Sequence, residues 1–422
     1  MGFQNNLSFA QELDVNDPIK DFRNKFIIPE ADGKQQIYFL GNSLGLQPKS
    51  ANVYLQRIMK DWATLGVEAF FHGEEKWMDY HDKFINPLSK IVGGLPHEVV
   101  VMNQLTVNLH LMLVSFYRPT KQRFKIICEA KAFPSDQYTF ETHVKHHGFI
   151  ADDAVIEVSP RAGEHTLRTE DILAVIEQHK DSTALVLFSG INYYTGQLFD
   201  MPAITKSAKS AGAIVGFDLA HAAGNVNLQL HDWGVDFACW CSYKYMNSGP
   251  GAIGGVFIHE KNHDKDLPRF AGWWGYDKAT RFKMQKGFVP MAGAEGWQLS
   301  TPAFFLYATQ RAALEIVEEA GWNNIQTKQK LLNNYVWFLL NDVNNNTTKK
   351  IVEFITPQNE TERGCQVSML MLERGKEIYD SLMKQGIMVD WREPDVIRLA
   401  PVPLYNTFEE VWKFADALKK LM

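Results

Sequence analysis

Basic residues are not in excess in this chain. Lys and Arg number 43 against 49 Asp and Glu, a net charge of −6, so there is no electrostatic footprint for nucleic acid. Cysteine is scarce, four in 422 residues, too few for a disulfide framework at this length. Cys239 and Cys241 alternate around Trp240 in an apolar run, and no second Cys/His pair stands at zinc spacing; they read as core packing, and no metal is expected. No apolar run reaches about 18 residues, so no membrane span is expected. The start, Met-Gly-Phe-Gln-Asn-Asn, has neither the basic nor the apolar region of a signal peptide. These absences together predict a reducing, cytoplasmic setting. No Gly-x-Gly-x-x-Gly opens a helix, which argues against a nucleotide site of the Rossmann kind. What remains is ordinary globular composition, 45% apolar and 22% charged, with length for two or three domains.

What is present is a set of apolar runs that stop abruptly at an ionisable residue. Phe237-Ala-Cys-Trp-Cys-Ser-Tyr-Lys244 ends in a lysine, followed by a small-residue, Gly-rich turn. Desolvation at the end of a buried strand favours a neutral amine, the form that makes a Schiff base with a carbonyl cofactor. A surface lysine at a strand end is the competing account. Upstream, Ala213-Ile-Val-Gly-Phe-Asp218 ends in a carboxylate, with His221 three residues on. Pyridoxal phosphate needs a carboxylate against its pyridine nitrogen, because the protonated ring is the electron sink. Asp218 and Lys244 at the carboxyl ends of neighbouring strands would meet that ring from two directions. A helix N-cap is the alternative for Asp218, and a satisfied structural histidine for His221.

Strand-like and helix-like segments alternate from about 95 to 260, which predicts an α/β domain: a largely parallel or mixed sheet covered by helices. Strands are expected at Val99–Met102, Lys125–Cys128, Ala154–Val158, Ala184–Ser189, before Asp218, before Lys244 and at Gly254–His259. Thr106, Asp136, Ser189, Asp218 and Lys244 all fall at strand ends or in the turns after them. That coincidence argues for one cofactor site. Thr106 opens a helical run, where free N–H groups and the helix dipole suit a phosphate as well as they suit a simple cap. Phe133, ahead of Pro134-Ser135-Asp136, can cover a flat ring by offset stacking; Pro-Ser-Asp is equally a plain helix start. Ile397-Arg398-Leu399 is strand-like and carries one arginine, the natural bidentate partner of a substrate carboxylate. A surface salt bridge is the other account of Arg398. The domains expected are an arm and helix over 1–60, a large domain over 61–302, and a smaller α+β domain over 303–422. The polar stretch 341–350 reads as an exposed turn.

Several longer segments carry a resemblance. They are Tyr38-Phe-Leu-Gly-Asn-Ser-Leu-Gly-Leu-Gln-Pro48, Leu105-Thr-Val-Asn-Leu-His110, Phe133-Pro-Ser-Asp136, Asp218-Leu-Ala-His221, Asp236-Phe-Ala-Cys-Trp-Cys-Ser-Tyr-Lys-Tyr245, Gly272-Trp273, Thr280-Arg-Phe-Lys-Met284 and Arg398-Leu-Ala-Pro-Val-Pro-Leu-Tyr405. Through them the chain resembles the kynureninases, pyridoxal-phosphate enzymes of the aspartate-aminotransferase fold type I, from about Tyr38 to Tyr405. The resemblance implies a large sheet of seven-stranded type, mostly parallel, with helices on both faces, and a smaller C-terminal α+β domain. It implies hydrolytic Cβ–Cγ cleavage of L-kynurenine or 3-hydroxy-L-kynurenine to the anthranilate and L-alanine. Lys244 would hold pyridoxal 5'-phosphate, Phe133 would stack on the ring, and Asp218 would pair with the ring nitrogen, Asp136 nearby. Leu105, Thr106, Pro134, Ser135, Ser189, His221 and Tyr243 would surround the ring and phosphate, Tyr243 also delivering a proton. Trp273 and Thr301 would come from a partner subunit, which implies a homodimer with a shared site. Arg398 would clamp the substrate α-carboxylate, with Ser43 and His72 near the aryl end. Thr301 stands where members preferring the 3-hydroxylated substrate often have asparagine, whereas His72 matches those members; the two positions pull in different directions. A cysteine desulfurase or selenocysteine lyase of the same fold would need a mobile cysteine, for which Cys365 is the loop-adjacent candidate. A cofactor-free binding protein on the same scaffold is set against by the complete Asp218, Tyr243, Lys244 and Arg398 set.

Overall fold

The apolar runs that end in polar residues form the strands of one sheet. A computed structural model describes residues 2–346 and 350–422. The sheet has seven strands in the order Val99–Val101, Gly255–Ile258, Phe237–Trp240, Ile214–Asp218, Thr183–Ser189, Lys125–Glu129, Val155–Val158. Six run parallel; Gly255–Ile258 is antiparallel to both its neighbours. Nearly every residue of the central strands is buried, as expected of a parallel sheet covered on both faces, and this is why they read as continuous apolar runs rather than alternating ones. From Lys125–Glu129 the chain passes to Val155–Val158 on one side and then crosses to Thr183–Ser189 on the other. The strand order therefore reverses between Glu129 and Ser189, the position where open α/β sheets place their ligands.

The second sheet is antiparallel, in the order Val352–Phe354, Val367–Met371, Val396–Leu399, Asp390–Arg392. Its core takes in Leu332, Tyr335 and Leu339 of helix Trp322–Asn345, Val411, Phe414 and Leu418 of helix Phe408–Leu421, and Phe9 and Ala10 of the N-terminal helix Leu7–Val15. Asp14 accepts the free N–H groups of Phe408 and Glu409 at 2.7 and 2.9 Å, joining the N-terminal helix to the start of the last one. Ile37–Tyr38 pairs with Ile387–Met388. Helix Phe304–Ala320 contributes Tyr307, Ala308 and Ala312 to the core of the large sheet.

The helix expected to open at Thr106 begins at Leu105, which puts Thr106 in its first turn. Strands Ile387–Met388 and Asp390–Arg392 were not foreseen; two or three residues are too few to show a period. Of the stretch 341–350, the helix continues to Asn345 and residues 347–349 lie outside the described residues. No helix among the described residues is long and apolar enough to cross a membrane.

At the opposite edge of the large sheet, Glu98 is fully buried and ties three segments together. It accepts from Leu95 N at 2.9 Å, Glu260 N at 2.8 Å and His231 Nδ1 at 3.0 Å. Burial pushes the Glu98 carboxyl up, but these donors outweigh it and hold it below its ordinary value. The hydrogen bond to Glu98 raises His231 above its ordinary value. A raised histidine stabilises fully below its unfolded pKa, and that contribution fades as pH rises through the folded one. His231→Gln is therefore expected to lower Tm more at pH 6 than at pH 8, as measured by calorimetry in the two buffers.

Candidate functional site

The candidate site is built where the central strands run out. The ladder runs just past Asp218, with Gly190 N donating to Asp218 O and Leu219 N to Cys239 O, and ends where Ala220 N donates to Asp218 Oδ1, each at 2.7 Å. The neighbouring strand stops at Trp240, four residues before Lys244, and not at Lys244 as its apolar run suggested. Ser242 Oγ donates to Ile253 O, Ser248 N to Ser242 O and Asn247 N to Lys244 O, so the segment after Trp240 makes its hydrogen bonds as a turn. Gly45 N donates to Tyr243 O at 2.8 Å, which docks the Gly41–Gly45 loop on that turn. The approach is close enough that a Cβ at Gly45 would lie 2.4 Å from Lys244 O, so only glycine fits.

Lys244 Nζ lies 2.9 Å from His221 Nε2. The ammonium donates, so Nε2 accepts and the imidazole proton sits on Nδ1, a buried atom with no partner. Burial, then the charges of Lys244, Arg398 and Arg392, hold His221 well below its ordinary value. Asp136, in the first turn of helix Pro134–His146, shares a hydrogen bond with Asp218. Burial and the charges of Asp218 and Glu129 push Asp136 far up. Burial also raises Asp218, but Ala220 N–H, Lys244 and Asp136 all favour its charged form. The pair thus holds one proton on Asp136 and the charge on Asp218.

These groups face a cavity of about 310 Å³ between the two lobes, within the size range of small-molecule sites. Its lining includes Ser43, Leu105, Thr106, Phe133, Ser135, Asp136, Ser189, Asp218, His221, Tyr243, Lys244 and Arg398. Arg398, 1% exposed, reaches it from the small lobe. Asp390 takes its Nε and one Nη2 proton, and Tyr193 O takes one Nη1 proton. One N–H remains on each terminal nitrogen. Phe133 is 45% exposed at the cavity and stands edge-on to Tyr193, with centroids 5.2 Å apart. Thr106 Oγ1 and Ser135 Oγ lie 3.4 Å apart, each in the first turn of a helix.

Four expected residues do not line this cavity. Pro134 is the first residue of its helix. His72 is exposed, 3.5 Å from Glu68. Trp273 packs edge-on to Phe282, itself against Phe71, on an exposed aromatic surface. Thr301 lines a separate cavity of about 170 Å³, which shares Gln104 with the first.

The sequence reading missed Asn42, Gln104, Ile191, Tyr193, Ala220 and Arg392, all in the lining. It also missed Glu129, buried behind Ser189. Glu129 had a legible signal, since Lys125-Ile-Ile-Cys-Glu129 is an apolar run ending in an acid, the pattern that marks Asp218. Cys365 is buried without lining the cavity, and burial pushes its thiol up to about 12.

Residues 325–418 match the family model of the kynureninase C-terminal domain. Over 421 residues, 100% of this chain and 99% of the relative, the sequence is 55% identical to the kynureninase of Flavobacterium psychrophilum. The chain belongs to the kynureninase family. The kynureninase of Nematostella vectensis is 47% identical over 97% of this chain and 92% of its own. Among solved structures, the cystine C–S lyase C-DES in complex with cysteine persulfide superposes with a TM-score of 0.74 at 18% identity, over 91% of this chain and 97% of that one. The cysteine desulfurase of Thermococcus onnurineus gives 0.72 at 18% identity, over 97% of each chain. At such identities the likeness is one of fold, which here is pyridoxal-phosphate fold type I.

Burial, with the charges of Lys244, Arg398 and Arg392, is expected to keep His221 neutral through the pH range in which a free imidazole titrates. Nitrogen-15 NMR of the labelled imidazoles checks this; a His221 resonance titrating like a free imidazole would contradict it.

Proposed function

We propose that the chain hydrolyses the Cβ–Cγ bond of L-kynurenine with pyridoxal 5'-phosphate, giving anthranilate and L-alanine, and that the residues around the 310 Å³ cavity perform the reaction. The observation that carries the site reading is the placement of Lys244 Nζ against neutral His221, with the Asp136–Asp218 pair beside it and Arg398 on the facing lobe. The cofactor fits these residues on structural grounds. Asp136 Oδ1 is a buried oxygen with no donor, beside a charged Asp218, and a protonated ring nitrogen supplies what this pair lacks. The free N–H groups of the helix starting at Leu105, with the Thr106 and Ser135 hydroxyls, suit a phosphate.

When bound, pyridoxal phosphate supplies a carbonyl that takes up the substrate amine and a protonated ring that stores the electrons released at Cα. Lys244 holds the cofactor through its amine and, once displaced, moves the proton at the substrate Cα. Asp218 keeps the ring nitrogen protonated, and Asp136 holds Asp218 in place while carrying no charge itself. Leu105, Thr106, Ser135 and Ser189 surround the cofactor, and Phe133 covers its ring. Burial keeps the Tyr243 phenol protonated, so it can deliver a proton to the departing alanyl carbon. Arg398 receives the α-carboxylate on its two remaining N–H groups. Ser43 lies on the same cavity wall as Asn42, toward the aryl end.

Trp273 and Thr301 complete the site from a second copy of the chain. Neither lines the cavity of its own chain, and Trp273, Phe282 and Phe71 expose 42%, 52% and 45% of their surface in one patch. A homodimer covers that patch and brings His72, next to Phe71, toward the aryl end of the neighbouring site. The working compartment of this reading is the cytoplasm.

Cofactor-loaded protein mixed separately with L-kynurenine and 3-hydroxy-L-kynurenine is expected to release the aromatic acid and alanine in equal amounts. The ratio of the two kcat/KM values gives the preference that Thr301 and His72 leave open. Lys244→Ala is expected to abolish turnover; near-normal activity in that variant would remove Lys244 from the mechanism. Asp390→Asn takes away the charge that supports buried Arg398. It is expected to raise KM about tenfold, the order of one charge-assisted hydrogen bond, with the cofactor absorption unchanged.

A further inference from the structure

Glu129 belongs to the site without facing it. It is the last residue of its strand and 2% exposed. Its carboxylate is spent on one neighbour: Ser189 N donates to Oε1 and Oε2 at 3.1 and 3.2 Å, and Ser189 Oγ is hydrogen-bonded to Oε1. Ser189 lines the cavity and Glu129 does not. The two sit on the adjacent strands between which the strand order reverses, and Ser189 in turn pairs in register with Asp218. Three buried carboxyl groups, Glu129, Asp136 and Asp218, therefore meet at one end of the sheet: the charge of Asp218 raises Glu129, and the charges of Asp218 and Glu129 raise Asp136.

A serine hydroxyl has one proton and two lone pairs. A charged carboxylate can only accept, so Oγ–H donates to Glu129 and the lone pairs remain for the cavity. Burial, opposed by the Ser189 bonds, places the Glu129 carboxyl at about 6, so it is charged at neutral pH. A buried charge of this kind is costly unless its donors are complete, and the Ser189 N–H and O–H are those donors.

We propose that Glu129 is a positioning residue for Ser189. By taking the hydroxyl proton it fixes the Oγ and makes it a hydrogen-bond acceptor toward the bound cofactor. The inference rests on the reading of Ser189 as a cofactor contact. Glu129→Gln keeps the shape but reverses the polarity: the amide oxygen still accepts Ser189 N–H, while the amide N–H₂ donates to Oγ and turns the serine proton into the cavity.

The test is a double-mutant cycle of Glu129→Gln and Ser189→Ala, read by the cofactor dissociation constant of the apoprotein and the absorption maximum of the bound cofactor. Glu129→Gln alone is expected to weaken cofactor binding about tenfold and to move the absorption maximum, the loss expected from one mispaired buried hydrogen bond. In the Ser189→Ala background it should change either readout less than about twofold, because the two residues act as a unit. An equal effect of Glu129→Gln with and without Ser189 would overturn the proposal while leaving Ser189 as a cofactor contact. No effect of Ser189→Ala on either readout would overturn both. If Glu129→Gln does not fold, Glu129→Asp keeps the charge but withdraws it from Ser189; the proposal then requires a loss that disappears in Ser189→Ala.

Discussion

Buried charge at the carboxyl edge of the large sheet is the constraint on which the rest of the structure depends. Glu129, Asp136 and Asp218 are all out of water, with Lys244 as the cation and His221 held neutral beside it. Isolated charges in such a place cost several kcal/mol each. They are sustained because each finds a named partner: Ser189 donates to Glu129, Ala220 N–H donates to Asp218, and the proton on Asp136 is donated to Asp218. One carboxyl of the three stays protonated because like charges this close cannot all ionise. The balance is left open on one side, at Asp136 Oδ1 and His221 Nδ1, two buried atoms without a hydrogen-bond partner.

The small lobe meets this edge through a second buried network. Arg398 sits on a strand paired with Val367–Met371 and with Asp390–Arg392, and its carboxylate partner Asp390 comes from the latter. Tyr193 O accepts from both Arg398 and Gln366 Nε2. Gln366 Oε1 takes Asn42 Nδ2 at 3.2 Å, so the N-terminal loop, the small-lobe sheet and the Tyr193 loop of the large domain are joined by one chain of hydrogen bonds. The Gly41–Gly45 loop is at the same time bound to the Lys244 turn. Four segments of the cavity wall, distant in sequence, are therefore joined by these hydrogen bonds.

The strands were legible because a sheet covered on both faces demands continuous apolar runs, and the site was legible where such a run stopped at a polar residue: Ser189, Asp218 and, with an offset, Lys244. The offset arose because Cys241 extends the apolar run past the point where the backbone leaves the ladder. Glu129 obeyed the same rule and was passed over because its strand was ended one residue short. Arg392 and Tyr193 carried no pattern, since a three-residue strand and a loop have no period to read.

The sequence by itself determined the elements and the chemistry available at their ends: which runs are buried, which residue types terminate them, and through the longer motifs the family they belong to. Those are local properties, set by side-chain polarity and backbone preference within a few residues. The tertiary structure alone decided which ends meet. It put Glu129 beside Ser189 by reversing the strand order between them, gave Asp136 the proton by crowding it against Asp218, and oriented buried Arg398 by pairing it with Asp390. The physical reason is that protonation states and donor counts depend on desolvation and on neighbours brought from far along the chain, quantities that exist only once the chain has folded.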